Sequence, residues 1–205
     1  MEKVRDWLWM FPSKKNPKRA SSWWLNCKPE PVLIDCPEYN SEVINDLKEL
    51  AGKSNPKILL TSRDGHNDVS KVNKSLGWSV VVQEQESYLL PGIKNLESFA
   101  NELITLSGLK LLWTPGPSPG SCVVYAPSPW NVLFCGRLLI PVSRDRMKNL
   151  RAKNTFHWSM QQESLIKLRK WPPVKSCPSL VFGGIEGLFD THLIMPWEAW
   201  DPNDE

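Results

Sequence analysis

The sequence predicts an α/β fold, a sandwich of two mixed β-sheets with helices on the outside. Three observations predict it. Short apolar runs rich in β-branched residues recur along the chain, each bounded by turn residues. In the first half these runs alternate with stretches of helical period, and through the middle they follow one another directly. The 18 prolines and 11 glycines among 205 residues break the chain into many short pieces rather than a few long helices.

Taken in order, strands are expected over 7–11, 32–34, 58–60, 79–82, 109–113, 122–125 and 132–134, all apolar and turn-bounded. An amphipathic helix is expected from Ser41: Val43, Ile44, Leu47, Leu50 and Ala51 fall on one face, Glu42 lies in the first turn and Gly52 ends it. A shorter helix is expected over 68–76. A third is expected over 164–170, where Leu165, Ile166 and Leu168 cluster. There is no internal repeat and no low-complexity block. With 41% hydrophobic and 23% charged residues, the composition is that of a globular domain, and one domain over 1–205 is expected.

Composition also narrows the function classes. No apolar run approaches the roughly 20 residues that cross a bilayer. The first residues, Met1 to Asp6, lack the apolar stretch of a secretory signal, so a cytoplasmic protein without a membrane partner is expected. The five cysteines, Cys27, Cys36, Cys122, Cys135 and Cys177, form no Cys-x-x-Cys pair, and free, mostly buried thiols are the expectation. Cys122 and Cys135 lie on neighbouring expected strands and are the one pair whose spacing suits a bridge. Most of the 11 tryptophans, including Trp23, Trp24, Trp197 and Trp200, are expected in the core, with an exposed partner patch as the alternative.

Charge is unevenly spread although the net value is only +3. Arg137, Arg144, Arg146, Lys148, Arg151 and Lys153 face the single acid Asp145 within one segment. Two readings stand, a solvated loop and helix face or an anion site; a phosphate-backbone site would bind with steep salt dependence. The net charge does not favour nucleic acid. Lys14, Lys15, Lys18 and Arg19 form a looser cluster, and Asp201, Asp204 and Glu205 an acidic tail.

The chemistry-bearing stretches begin with Thr114-Pro115-Gly116-Pro117-Ser118-Pro119-Gly120-Ser121, set between two apolar runs. It resembles a metal-binding turn of the metallo-β-lactamase superfamily, Thr-Pro-Gly-His-Thr-Pro-Gly-Ser, with Pro117 in place of the histidine. After the run ending at Leu60 comes Thr61-Ser62-Arg63-Asp64-Gly65-His66-Asn67-Asp68-Val69. It resembles the variant Thr-His-Arg-Asp-Asp-Val-Ala-Asp-His of a glyoxalase II-like branch from photosynthetic organisms, with Ser62 and Val69 where that variant has histidines. Cys135-Gly136-Arg137 resembles the strand end that delivers a metal-bridging aspartate, with Arg137 in its place. Leu180 to Gly184 is similar to the turn read Pro-Gly-His-Gly, with Gly184 at the histidine.

Over residues 5 to 187 the motifs arrive in that family's order. The resemblance implies a four-layer αββα sandwich and a cleft lined by Ser62, Asp64, His66, Asp68, Val69, Pro117, Arg137 and Gly184. It also implies that the metal site has decayed, because proline, valine, glycine and arginine offer no lone pair to a divalent ion. Dinuclear members generally use four or more histidines, and this chain has three: His66, His157 and His192. The expected cofactor is therefore none.

The expected role is a non-catalytic scaffold, or a module binding an anionic small molecule in the old cleft. Arg137 is expected to replace the metal by pairing with Asp64 and Asp68. The alternative is a hydrolase of thioesters or related esters holding zinc, iron or manganese on Asp64, His66 and Asp68, with Asp68 as its catalytic residue. No nucleophile elbow, phosphate-binding glycine loop or redox pair offers a different chemistry.

Overall fold

A computed structural model describes residues 1–13, 21–182 and 194–200. Seven strands make the first sheet in chain order: β1 (Glu2–Arg5), β2 (Leu8–Phe11), β3 (Ser22–Leu25), β4 (Val32–Ile34), β5 (Lys57–Leu59), β6 (Ser79–Gln83) and β7 (Leu96–Phe99). The first four pair antiparallel and the last four parallel, so the sheet is mixed. Parallel neighbours need a crossover. Helices α1 (Ser41–Ala51) and α2 (Val69–Leu76) supply two of them, and the short α3 (Glu84–Ser87) follows β6.

The second sheet contains β8 (Glu102–Ile104), β9 (Lys110–Trp113), β10 (Cys122–Ala126), β11 (Val132–Phe134), β14 (Ser179–Val181) and β15 (Ile194–Met195), in the order β15-β14-β11-β10-β9-β8. Before β14 come a small hairpin, β12 (Ile140–Pro141) with β13 (Met147–Lys148), and α4 (Trp158–Lys170).

Side-chain alternation builds the layers. Leu8, Met10, Trp23, Leu25, Ile34 and Leu59 from the first sheet meet Leu111, Cys122, Val124, Phe134 and Val181 from the second. The residues between them face outward: Trp24, Leu33, Ile58 and Val80 lie under Ile44, Leu47, Val69 and Val72 of α1 and α2. On the far side, Val123, Leu133 and Leu180 pack against Leu168 of α4. The expected αββα layering is therefore what the chain adopts.

Two expectations change, the start of α4 and the set of strands, while the expected free thiols are found. Helix α4 starts at Trp158 rather than near 164, because its N-terminal half buries Gln161 and Ser164 instead of an apolar stripe. His157 caps it, Nδ1 accepting Met160 N–H at 3.3 Å. Cys122 and Cys135 are free thiols. With Val124 opposite Phe134, Cys135 falls opposite Val123, so the two thiols sit on opposite faces of the sheet, one in each core layer. Strands β1, β3, β7 and β8 were not expected: the first, third and fourth carry exposed positions, and Ser22 to Leu25 is buried on both faces, without alternation.

Candidate functional site

The candidate site lies where the ends of β4, β5 and β11 meet the turn between β9 and β10. Asp35 follows β4 with φ 57, in the left-handed region. Its carboxylate turns inward and is held by Thr61, whose N–H donates to Oδ1 at 2.7 Å and whose hydroxyl donates to Oδ2 at 2.7 Å. Two glycines make the space. A Cβ on Gly65 would stand 2.0 Å from Asp35 Oδ1, and one on Gly136 would stand 3.1 Å from Thr61 Oγ1. Burial pushes the Asp35 carboxyl up to about 6, opposed by the Thr61 bonds and reinforced by the charges of Asp64 and Glu86. The sequence reading missed Asp35; an acid ending a wholly apolar strand was the one signal for it.

The motif turn divides its side chains. Ser62 is buried, and Arg63–Gly65 forms a single 3-10 turn. His66 is buried with Nε2 facing Glu86 Oε2 at 3.8 Å, beyond hydrogen-bonding distance. Burial lowers the imidazole to about 4 against the pull of Asp64, so at neutral pH this contact is not an ion pair. Glu86, only 1% exposed, is the second residue missed; its Oε1 accepts Gly120 N–H at 3.1 Å and so ties α3 to the proline-glycine turn. Val69 is the first residue of α2 and packs into the outer core, away from the cleft.

Arg137 forms an ion pair with Asp64, Nη1 against Oδ2, while its Nη2 donates to Asn154 Oδ1 at 2.8 Å. Asp68 does not share this guanidinium as expected. It accepts Tyr39 N–H at 3.0 Å and the Lys71 ammonium at 2.8 Å from the N-cap position of α2. The 3-10 turn and Asn67, at φ 37, separate the two aspartates. Both are partly exposed, at 39% and 30%.

The proline-glycine turn keeps a defined shape. Thr114 N–H donates to Ser121 O at 2.8 Å, and Ser118 N–H donates to Ser121 Oγ at 2.9 Å. Gly116, at φ 130, meets the backbone of α4 so closely that a Cβ would stand 2.3 Å from Gln161 N. His157 N–H donates to Gly116 O at 3.0 Å and Ser164 Oγ to Pro115 O at 2.6 Å. Pro117 is therefore buried under the start of α4. A crevice at the ends of β4 and β11, lined by Trp23, Asp35, Thr61, Phe134, Gly136 and Phe182, has no room for a water molecule.

These residues do not fit a hydrolytic metal centre. Among the described residues no three His, Cys, Asp or Glu side chains converge to hold an ion. Asp64, His66 and Asp68 each face a different partner. Gly184, His192, the cluster from Lys14 to Arg19 and the acidic tail lie outside the described residues.

No protein-family model and no curated protein matches the sequence. Solved structures do match. The BLEG-1 B3 metallo-β-lactamase aligns with TM-score 0.67 at 21% identity, over 94% of this chain and 95% of that one. The fold is that of the metallo-β-lactamases. TTHA1623, solved in a di-iron-bound form, aligns with TM-score 0.62 at 24% identity over 84% of this chain and 91% of that one. A quorum-quenching N-acyl homoserine lactone lactonase gives 0.62 at 16% identity, over 89% and 93%. Identities this low establish the metallo-β-lactamase fold and leave the chemistry to the site.

Proposed function

We propose that this chain is a non-catalytic scaffold on the metallo-β-lactamase fold, a degenerate relative of the glyoxalase II-like branch whose metal-binding cleft has been closed by protein. The observation that carries this reading is the Arg137–Asp64 ion pair, which spends the motif's first carboxylate on a guanidinium. Asn154 anchors the same guanidinium from the segment before α4. Pro117 and Gly116, packed under α4, support it from the other side.

A cation fixed next to a carboxylate opposes a second cation there by direct repulsion. A small anion in the cleft would have to displace Asp64 from Arg137, which favours the scaffold over the binding module. Metal analysis of protein prepared without chelator tests the reading. The expected result is zinc, iron and manganese each far below one per chain, with no thioester or lactone hydrolysis. A stoichiometric metal, lost together with hydrolysis in Asp68→Ala, would overturn it in favour of the hydrolase.

A further inference from the structure

Ten Lys or Arg and only two acids, Asp145 and Glu163, lie between residues 137 and 175, although the whole chain carries only +3. The fold packs parts of this stretch against one another. Met147 bridges to Trp200, and the Arg169 guanidinium stacks 5.7 Å over the Trp200 ring, so the hairpin β12–β13 meets the C-terminal end of α4. From there the chain runs back beside the helix. Gln161 Nε2 donates to Asn149 Oδ1 and to Leu150 O, and Phe156 and His157 reach the proline-glycine turn at the N-terminal end of α4.

Segment 147–157 and α4 thus lie side by side. Arg144, Arg151, Lys153 and Lys170 are exposed and form no ion pair among the described residues. Asp145 is already engaged by Ser143. Three large apolar side chains stand out among these cations: Leu150 at 43% exposure, Phe156 at 51% and Ile166 at 50%.

We propose that this face docks on an anionic lipid surface, the cations at the headgroups and Leu150, Phe156 and Ile166 entering the interface. Charge complementarity selects an anionic partner, and the apolar side chains select its kind. A phosphate backbone gains nothing from leucine or isoleucine, whereas a bilayer interface rewards cations and apolar groups together. The expectation of no membrane partner rested on spanning length and on the lack of a secretory signal, neither of which bears on surface docking. Among the described residues no helix is long and apolar enough to cross a membrane, and docking at the surface needs none.

Co-sedimentation with phosphatidylcholine vesicles, with and without about one-third phosphatidylserine, tests the docking. Binding is expected on the anionic vesicles only and is expected to weaken as salt rises. Changing Arg144, Arg151, Lys153 and Lys170 together to Gln should lower partitioning by more than about a hundredfold, from roughly fivefold per cation. Leu150→Ser with Phe156→Ser should lower it by about tenfold or more with the salt dependence kept. All six positions are exposed, and each variant's unfolding transition confirms its fold; were one to unfold, the wild-type comparison of vesicles still decides. No binding to anionic vesicles, equal binding to neutral ones, or binding only to a single-stranded oligonucleotide would overturn the proposal.

Discussion

His66 and Asp35 are both buried in the candidate site, and they make stability depend on pH with opposite signs. The His66 imidazole is lowered from 6.5 to about 4, so between those values the unfolded chain binds a proton that the folded chain refuses. Its contribution therefore rises with pH across that window, by about 1.4 kcal/mol per pH unit and about 3 kcal/mol in all. The Asp35 carboxyl is raised from 3.8 to about 6, so there the folded chain binds the extra proton. Its contribution is fully present below 3.8 and falls by about the same amount as pH rises to 6.

The two effects oppose each other over their shared window, and single substitutions separate them. Urea unfolding at half-unit steps from pH 4 to 7 gives the slope of stability against pH for each protein. His66→Gln should make that slope more negative than wild type by about 1.4 kcal/mol per pH unit below pH 6.5. Asp35→Asn, whose amide can keep both Thr61 contacts, should make it more positive by a similar amount below pH 6. Comparing slopes removes any constant packing loss. Equal slopes in wild type and either variant would show that the side chain is solvated or already protonated alike in both states, and would refute the reasoning.

Two further outcomes follow from the same geometry. Gly116→Ala would force a Cβ to within 2.3 Å of the α4 backbone at a φ that side chains rarely adopt, and should cost more than about 3 kcal/mol in urea unfolding; a loss below about 1 kcal/mol would mean that α4 is not seated on the turn. A double-mutant cycle with Arg137→Met and Asp64→Asn should return a coupling of about 1 kcal/mol, modest because the Asp64 side chain is 39% exposed. A coupling of zero would remove the ion pair that the scaffold reading rests on.

Much of the fold was legible because burial leaves a period in the sequence. Strands β4 and β11 lie where the apolar runs place them, and α1 ends at Gly52 as its stripe predicts. The N-terminal half of α4 was not legible, since the face it buries is Gln161 and Ser164, which bond to other segments instead of forming an apolar stripe. The site divides in the same way. That Pro117 and Arg137 offer no metal donor could be read one residue at a time, because a side chain's capacity to bind a metal is intrinsic to its chemistry.

What Arg137 pairs with could not be read so. Asp64 and Asp68 are equally charged and four residues apart, and only their places, one within the 3-10 turn and one at the start of α2, send the first to the guanidinium and the second to Tyr39 and Lys71. Asp35 and Glu86 likewise became part of the site only when β4 and α3 were brought to the motif turn. The sequence by itself determined the layers and which side chains stand in the motif turns, because hydrophobic period and side-chain chemistry are local properties. The tertiary structure alone decided which charges meet and how deeply they are buried, because both depend on strand ends distant in the chain packing together.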